Sequence, residues 1–382
     1  MKIAVVVRGF HKSGGISRCA AEIAERLSEM NEVHVLTNYF ETKDINLNYH
    51  NIKPWKCERL SRFKTAIEFA SFALKSYKEL RTQEYDIIHS HSSSCIKQDI
   101  LTAHSCHKAS LIKLAELSKN RVNKYDLFRL YINPFNFVNI RIEKLQYQKG
   151  NYKKIVALSS SLKEEILKSY EVSSDDIVVI PNGIDLEQFK PNQDFRTKIR
   201  KKLDLTDDEF ILMFISHRFA NKGLEVVIKA ISLLKEKKIR LLVFSGDNAR
   251  HFIELSGKLG LNEQIKFLGP TNNPENFYPA ADVVVNPSSY EGFGLVILEA
   301  MASGLPVIAT NTGCAPDVIN NMVDGFYVSI PPDPNEISEI ICNLYKDENF
   351  RKTVGKNARV KAAQFSWDII ASKTLKLYES IL

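Results

Sequence analysis

The sequence contains Glu291-Gly292-Phe293-Gly294-Leu295-Val296-Ile297-Leu298-Glu299, in which two carboxylates lie eight positions apart around a glycine-containing turn and an apolar run. The run has no polar face, which is typical of a buried helix. An unpartnered carboxylate there would cost on the order of several kcal/mol, so we predict that hydroxyl donors or a cation meet Glu299. The two glycines let a ligand approach a helix start, where anions bind well. The alternative is a buried salt bridge from Glu299 to a lysine or arginine.

Short apolar strands alternate with helical patterns along the chain, which predicts α/β domains with mostly parallel sheets. A length of 382 residues is too great for one ordinary core, so we expect two doubly wound domains. The strands predicted for the first domain lie at residues 3–7, 33–36, 86–89, 100–103, 154–157 and 177–180, with a helix at 16–27. Those predicted for the second lie at residues 210–215, 240–244, 265–268, 282–285 and 306–309.

A turn signal in Pro181-Asn182-Gly183-Ile184-Asp185 marks the predicted hinge between the domains. The first domain then covers residues 1–185 and the second covers residues 186–365. The remaining segment, residues 366–382, has helical periodicity.

Basic side chains are concentrated in the first 150 residues, which hold 24 basic and 15 acidic side chains. The rest of the chain holds 28 basic and 30 acidic side chains. The net positive charge therefore lies in the N-terminal part.

The six cysteines form no C-x-x-C pair, and no secretory pattern precedes Arg8, so we expect a cytoplasmic protein with free thiols. No apolar run approaches the roughly 20 residues that span a bilayer.

The stretch from Glu291 to Glu299 resembles the E-x7-E motif of retaining glycosyltransferases with the GT-B fold, specifically the glycosyltransferase group 1 (GT4) family. The resemblance extends from residue 286 to residue 310, and the hinge resembles the P-N-G-[IV]-D linker of that family. It implies two Rossmann-like domains facing each other across a cleft. The domain at 1–185 would bind the acceptor, the domain at 186–365 would bind the donor, and the helix at 366–382 would cross back onto the first domain.

The resemblance implies donor-binding roles in the second domain. Glu291 would bind hydroxyls of the donor sugar, and Glu299 would bind the ribose 2′- and 3′-hydroxyls. The other donor-binding positions that it implies are Gly246, Leu268, Phe293, Gly294 and Leu295.

Two cations, Arg218 and Lys222, follow the first strand of the second domain and precede a helix. Departure of a diphosphate builds negative charge, which cations and a helix N-terminus stabilise. The resemblance implies that both side chains clamp the diphosphate, although the family commonly has more than the three residues that separate them here. The alternative is a pair of solvated surface cations.

Gly14 and Gly15 lie between the first strand and its helix, and they resemble the glycine-rich loop that faces the donor in this family. A strand-to-helix turn also requires such residues for purely structural reasons. Ser13 and Arg18 are neighbouring candidates. His104 ends a strand in a sequence that resembles the T-x-H of the family, so it is the candidate active-site histidine. The alternative is a strand-end histidine bonded to the backbone.

Several side chains near His104 in the sequence are potential zinc ligands, namely His89, His91, Cys95, Cys106 and His107. We exclude a zinc site built from them, because no pair has the regular spacing of a structural site. The chain also lacks the D-x-D pair with which GT-A glycosyltransferases hold a divalent ion. We therefore expect no metal and no cofactor beyond a nucleotide-sugar co-substrate.

Six basic residues are interleaved with apolar and aromatic ones in the first domain, namely Lys108, Lys113, Lys119, Arg121, Lys124 and Arg129. Such a face favours an anionic acceptor or an anionic membrane surface, with peripheral attachment to the inner face of the cell membrane. A solvated helix face is the alternative. Nucleic acid is not expected, because no binding motif accompanies the modest charge excess.

The resemblance implies a retaining, metal-independent glycosyltransferase that moves a hexose from a nucleotide diphosphate sugar, with UDP as the expected nucleotide. The expected acceptor is a lipid-linked saccharide, a polysaccharide or another cell-envelope molecule. The alternatives are a non-catalytic nucleotide-sugar or carbohydrate-binding protein and a nucleotide-sugar epimerase. A dinucleotide-dependent oxidoreductase is disfavoured, because residues 8–15 lack G-x-G-x-x-G and no ribose-binding acid follows the second strand.

Overall fold

The computed structural model describes residues 1–44, 46–56, 63–118, 132–216, 218–219, 221–234 and 238–382, without the side chains at positions 114, 117 and 118. The chain forms two compact units. Unit 1 consists of Met1–Gly183 and Trp367–Leu382, and unit 2 consists of Ile184–Ser366.

Unit 1 is built on a parallel sheet of seven strands. The strands of unit 1, seven in this sheet and two in a separate pair, are β1 (Lys2–Val6), β2 (Gly9–Phe10), β3 (Glu32–Thr37), β4 (Tyr39–Phe40), β5 (Leu47–Asn51), β6 (Ile87–His91), β7 (Ile100–Ala103), β8 (Lys154–Ala157) and β9 (Ile177–Val179). The spatial order is β5-β3-β1-β6-β7-β8-β9, and β2 pairs separately with β4. Strands β1 and β7 are buried almost throughout, as expected for a parallel sheet covered on both faces.

Unit 2 is built on a second parallel sheet, of six strands. Its strands are β10 (Phe210–Ile215), β11 (Ile239–Phe244), β12 (Ile265–Gly269), β13 (Val283–Asn286), β14 (Val307–Thr310) and β15 (Phe326–Val328). The spatial order is β12-β11-β10-β13-β14-β15, and neighbouring strands pair in parallel.

Helices connect these strands and cover both sheets. They are α1 (Gly15–Leu27), α2 (Lys64–Glu79), α3 (His107–Ser118), α4 (Pro134–Gln146), α5 (Ser160–Ser169), α6 (Gln193–Lys202), α7 (Leu224–Ser232), α8 (Arg250–Lys258), α9 (Leu295–Ala302), α10 (Ala315–Val318), α11 (Pro334–Lys346), α12 (Glu348–Ala362) and α13 (Trp367–Glu379). Several begin at polar caps: Ser159 accepts from the Leu162 amide, and Asp347 accepts from the Phe350 amide. Such caps satisfy amides that the first helical turn leaves without partners.

The last helix, α13, belongs to unit 1 and packs against α1. Trp367 and Tyr378 are buried in the core beneath α1, and Arg26 of α1 pairs with Asp368 at 2.5 Å. Gly183, where the chain leaves unit 1, lies so close to Trp367 that a Cβ atom would stand 2.5 Å from the indole ring. Only glycine fits there without displacement of the helix.

Both sheets place their first strand beside their fourth, so that successive crossovers depart in opposite directions. In unit 1 this reversal lies between β1 and β6, and in unit 2 it lies between β10 and β13. Ligands of doubly wound folds bind at the carboxyl ends of the strands on either side of such a reversal. The topology therefore indicates one candidate site in each unit.

The predicted fold class, two doubly wound α/β units, is confirmed. Every predicted strand is present within about two residues at each end, and the predicted helix at 16–27 is α1. Four of the described strands were not predicted, namely the edge strands β5 and β15 and the short pair β2 and β4. Strand β5 has the largely polar sequence Leu-Asn-Tyr-His-Asn, and β15 is only three residues long.

Candidate functional site

In unit 2, the loops after β10 and β13 bring Lys222 and Glu291 together. Lys222 Nζ lies 2.5 Å from Glu291 Oε1, and the two side chains are 24% and 11% exposed. This ion pair lies at the strand-order reversal, where the fold predicts a ligand. The predicted diphosphate cation and the predicted sugar-binding carboxylate are therefore direct neighbours.

Glu291 is held by its own loop as well as by Lys222. The Ser288 hydroxyl lies 2.8 Å from Glu291 Oε1 and 2.7 Å from Asn286 Oδ1. Ser288 is fully buried, so the carboxylate is oriented by a fixed neighbour. No site role was assigned to Asn286 from the sequence, although it belongs to the stretch that carries the family resemblance.

Backbone contacts lock the loops after β10 and β13 together. The Ser289 amide donates to the Asn221 carbonyl at 2.9 Å. Gly223, at the start of α7, has φ +77°, and a Cβ atom there would lie 2.4 Å from the Pro287 carbonyl oxygen. This close approach requires glycine, and it fixes the position of Lys222 one residue earlier.

The turn that contains Phe293 and Gly294 is held by the loop after β14. The Cys314 amide donates to the Phe293 carbonyl at 2.7 Å, and a Cβ on Gly313 would meet that same carbonyl at 2.4 Å. Gly294 has φ +93° and precedes Leu295, the first residue of α9. The amides predicted to bind sugar or phosphate therefore lie in a well-supported turn at a helix N-terminus.

Glu299 lies on α9 and is 8% exposed, as the apolar run predicts. Its carboxylate accepts a hydrogen bond from the Tyr278 hydroxyl at 2.8 Å. Burial and the adjacent Glu299 together raise the pKa of Tyr278 well above its usual value, so this phenol donates its proton. The predicted hydroxyl donor is thus present. Sequence reasoning missed Tyr278, because it lies in a short 3₁₀ turn without a motif.

The remaining donor-side candidates lie at neighbouring strand ends. Arg218 is exposed, and the next amide, that of Phe219, donates to Asp247 Oδ2 at 2.9 Å, beside Gly246. This hydrogen bond, with a second from the Asn248 amide, lowers the pKa of Asp247. Leu268 lies in β12, whose last residue accepts a hydrogen bond from the Ser245 amide. Arg218, Gly246 and Leu268 therefore extend the same edge of the sheet.

In unit 1, the loop after β1 carries the predicted glycines. Gly14 has an extended backbone and precedes Gly15, the first residue of α1. Beside them, the Ser13 hydroxyl lies 2.6 Å from His11 Nδ1, and Arg18 lies 3.8 Å from Glu22.

His104 follows β7 and is 8% exposed. Its Nε2 lies 3.1 Å from Nδ1 of His91. The partner is thus a side chain, whereas the alternative interpretation expected a bond to the backbone. Burial lowers the pKa of His104 to about 3, so the imidazole is neutral at neutral pH. A neutral ring acts there as a hydrogen-bond donor or acceptor and carries no positive charge.

A second histidine lies beside this pair. His89 contacts the Tyr378 hydroxyl through Nδ1 and the Thr102 hydroxyl through Nε2, both at 2.6 Å. Burial, followed by the nearby His104, lowers the pKa of His89 to about 3, and burial lowers the pKa of His91 well below its usual value. Five side chains were considered above as zinc ligands. Among the residues that the structure describes, His91 is the one of these five side chains that joins a group with ligand spacing, together with Cys19 and His104. Cys19 was missed because it is distant in sequence.

Two family models match this sequence. The one described as Glycosyltransferase Family 4 matches residues 13–188, and the one described as Glycosyl transferases group 1 matches residues 195–361. The chain belongs to the GT4 family of glycosyltransferases. The GT4 chain is 29% identical to an uncharacterized glycosyltransferase of Methanocaldococcus jannaschii, over 99% of its own length and 98% of the relative.

Solved structures resemble this GT4 chain along its whole length. WaaG, a glycosyltransferase involved in lipopolysaccharide biosynthesis, is 20% identical with a TM-score of 0.77, over 98% of this chain and 99% of that one. Anabaena HepE, solved in complex with UDP-glucose, is 20% identical with a TM-score of 0.74, over all of both chains. At this identity the likeness concerns the fold.

The basic residues predicted to meet an anionic partner are only partly described. Lys119, Arg121, Lys124 and Arg129 lie outside the described residues. Lys108 donates to the Ser169 carbonyl at 2.9 Å, and Lys113 lies 3.9 Å from Glu116. Both described lysines are therefore engaged with other residues of unit 1.

An apolar groove of about 500 Å³ lies between α2 and α4 of unit 1. Residues that line it include Ala66, Ile67, Ala70, Pro134, Phe137 and Val138. Phe137 is 69% exposed, which is unusual for so large an apolar side chain. Within the described part of the chain, no helix has the length and apolarity that membrane crossing requires.

Proposed function

We propose that this GT4 glycosyltransferase transfers a hexose from a UDP-sugar to a lipid-linked saccharide, a polysaccharide or another cell-envelope acceptor, with retention of configuration and without a metal ion. The observation that carries the proposal is the Lys222–Glu291 pair at the strand-order reversal of unit 2, 2.5 Å apart. It combines a cation for a diphosphate with a carboxylate for sugar hydroxyls in one small site.

Glycosyl transfer develops negative charge on the departing diphosphate and positive charge on the anomeric carbon. Lys222 and Arg218 stabilise the diphosphate, aided by the N-termini of α7 and α9. In the absence of donor, Glu291 balances the charge of Lys222, so the ammonium is already oriented when the phosphates arrive. Preorganisation of this kind lowers the barrier, because no group needs to rearrange during the reaction.

The two carboxylates of the motif bind rather than react. Glu291 accepts hydrogen bonds from the donor sugar, and Glu299, oriented by the Tyr278 hydroxyl, accepts from the ribose. Leu268 lies where backbone groups read the base. No residue is assigned as a nucleophile, so the acceptor attacks the face from which the diphosphate leaves, and His104 contacts sugar or acceptor as a neutral ring. UDP is favoured because the structurally similar HepE binds UDP-glucose.

The apolar groove between α2 and α4 supports a lipid-linked acceptor and attachment to an anionic membrane. Its lining is aliphatic and aromatic, and in sequence Ile132 of the groove closely follows the basic residues that end at Arg129. Basic residues near anionic lipid contribute about 1 kcal/mol each. Co-sedimentation with phosphatidylglycerol vesicles but not with phosphatidylcholine vesicles is the expected result, and equal binding to both would contradict attachment by charge.

A thermal-shift panel of UDP, GDP, ADP and TDP tests the donor assignment. A hundredfold excess of the correct nucleotide over its dissociation constant stabilises the protein by about 2.7 kcal/mol, so only UDP should raise the melting temperature strongly. Glu299→Ala should abolish that shift, whereas Glu254→Ala, at an exposed position on α8, should retain it. An unchanged shift in a folded Glu299→Ala variant would show that Glu299 does not bind the ribose.

Turnover separates the transferase from its alternatives, a carbohydrate-binding protein and an epimerase. A transferase releases UDP from UDP-sugar, and it does so faster when acceptor extract is added. Tight UDP binding without UDP release in any extract would favour the binding protein. Conversion of the sugar without UDP release would favour the epimerase.

A further inference from the structure

Cys19, His91 and His104 meet beneath the first turns of α1 in unit 1. Cys19 lies on α1, His91 is the last residue of β6, and His104 follows β7. One ligand atom from each lies within 4.8 Å of the other two. All three side chains are buried, at 1%, 0% and 8% exposure.

One thiol and two imidazoles are a donor set typical of zinc. In a tetrahedral zinc site, ligand atoms lie roughly 3.3–3.7 Å apart, as follows from Zn–N near 2.0 Å and Zn–S near 2.3 Å. One nitrogen from each ring is already close to the other, since Nδ1 of His91 and Nε2 of His104 lie 3.1 Å apart. The group therefore needs movements of about 1 Å to surround an ion, which buried side chains achieve by small rotamer changes.

His91 has binding capacity that the protein leaves unused. Its Nδ1 shares a hydrogen bond with His104, while its Nε2 is buried and has no hydrogen-bond partner among the described residues. Such an unsatisfied buried atom is uncommon and calls for a physical explanation. A cation bound through Nε2 would engage this atom, whereas a cation bound through Nδ1 would replace the hydrogen bond to His104.

The surroundings of the cluster hold its rings in place. The His89 ring lies against the His91 ring with centroids 4.4 Å apart, and His89 is itself fixed by Tyr378 and Thr102. Close packing of this kind restricts the orientation of the His91 ring.

We propose that Cys19, His91 and His104 form a site for a zinc-class divalent cation, with a fourth coordination position open. Binding forms a bond from the Cys19 sulfur to the ion and releases the thiol proton to solvent, while both imidazoles bind as neutral ligands. The ion also immobilises His104. Because His104 contacts sugar or acceptor in the proposed function, occupancy inhibits transfer; this consequence alone rests on that function.

Cobalt titration of the full chain tests the site directly. Tetrahedral Co²⁺ bound to a thiolate gives visible d–d bands and a near-ultraviolet charge-transfer band from sulfur. We expect both bands in the wild type, loss of the charge-transfer band in Cys19→Ser, and full retention in Cys95→Ser. Cys95 is the matched control, because it is equally buried in unit 1 and does not belong to the group. Bands that persist unchanged in Cys19→Ser would assign the metal to other thiols and overturn the proposal.

Zinc X-ray absorption on the wild type keeps the test independent of whether a variant folds. A first shell with one sulfur and two imidazole nitrogens supports the site, and a shell of nitrogen and oxygen alone overturns it. Zinc should also inhibit UDP-sugar turnover in the wild type and in Cys95→Ser but not in Cys19→Ser. If the cobalt bands behave as expected while no turnover occurs under any condition, the proposed function fails and the metal site stands.

Discussion

Lys222 and Glu291 carry opposite charges at a position that water reaches only partly, with 24% and 11% of their side chains exposed. Removal of one partner leaves the other charge poorly compensated, whereas removal of both does not. The two residues should therefore behave as a unit in binding and catalysis.

A double-mutant cycle examines this coupling. Lys222→Met and Glu291→Gln should each lower kcat/KM for the donor by roughly 10²–10³-fold, because each removes a preorganised charge from the site. The kcat/KM of the double variant should be no lower than that of the less active single variant, since residues that act together have non-additive effects. Steady-state kinetics with UDP-sugar provide the measurement.

The control for this cycle is a second lysine–glutamate pair in unit 2. Lys229 and Glu225 of α7 lie 2.8 Å apart on a more exposed surface. Lys229→Met should leave kcat/KM within about twofold of the wild type, because exposed pairs of this kind contribute little. Strictly additive losses in the Lys222 and Glu291 variants would mean that the two residues act separately.

The buried histidines make the stability of unit 1 depend on pH. Burial lowers the pKa of His89 and His104 to about 3 and lowers the pKa of His91 well below its usual value. The unfolded chain binds protons near pH 6.5 and the folded chain does not, so stability is complete above pH 6.5 and declines as pH falls toward 3. Between pH 7.5 and 5.5 each histidine should contribute on the order of 1 kcal/mol to the loss.

Urea unfolding at pH 7.5 and 5.5, with chelator present, checks this expectation. The loss of unfolding free energy should be smaller by on the order of 1 kcal/mol in His91→Asn than in the wild type. His251→Asn should show the wild-type loss, because His251 lies on the surface of unit 2, whereas the three buried histidines belong to unit 1. An identical pH dependence in all three proteins would show that His91 takes up its proton equally in both states.

Among the elements, α7 depends on the contact between its first turn and the loop after β13. Gly223 precedes α7 in a left-handed conformation, and its Cα faces the Pro287 carbonyl oxygen so closely that a Cβ would lie 2.4 Å from it. The same contact sets the distance between Lys222 and Glu291. Helix position and site geometry are therefore coupled through one glycine.

Gly223→Ala should destabilise unit 2 and weaken UDP binding. The left-handed backbone alone costs roughly 1–2 kcal/mol for alanine, and the clash with Pro287 adds to that cost. Gly260→Ala is the matched control, because Gly260 has φ +71° and a Cβ atom there would meet nothing within 4 Å. Chemical unfolding should show a larger loss of unfolding free energy for Gly223→Ala, and only that variant should lose UDP affinity. Equal losses of unfolding free energy in the two variants would mean that the clash with Pro287 is relieved at no cost.

The sequence predicted those elements whose apolar runs are long enough to be buried on both faces, such as β1 and β10. It did not predict β5, since a polar edge strand lacks the hydrophobic pattern that marks a strand. Local motifs likewise indicated Lys222, Glu291 and Glu299. Tyr278 and Cys19 could not be found in this way, because their proximity to Glu299 and to His104 arises only when distant segments fold together.

In the molecule as a whole, two units are stabilised by separate cores. The core of unit 1 includes Ile370, Leu377 and Tyr378 of α13, together with residues of α1 and the strands. The stability of the first 183 residues thus depends on a helix that follows unit 2 in the chain.

Neighbouring isoleucines on α13 test this dependence. Ile370 is 1% exposed and Ile369 is 38% exposed. Ile370→Ala should lower the unfolding free energy of unit 1 by about 2–5 kcal/mol, because it leaves a cavity in the core, while Ile369→Ala should cost less than about 1 kcal/mol. In a Trp55→Phe background, the fluorescence of buried Trp367 reports the unfolding of unit 1. Equal effects of the two substitutions would show that α13 does not stabilise this core.

The split composition of unit 1 has a consequence for biosynthesis. After the ribosome has made Gly183, it must add about 180 residues of unit 2 before Trp367 exists. At ordinary rates of translation this takes roughly ten to forty seconds, during which the apolar surface of α1 lacks its cover. The later half of the nascent chain can mature first, and the earlier half completes its fold only after the later one has emerged.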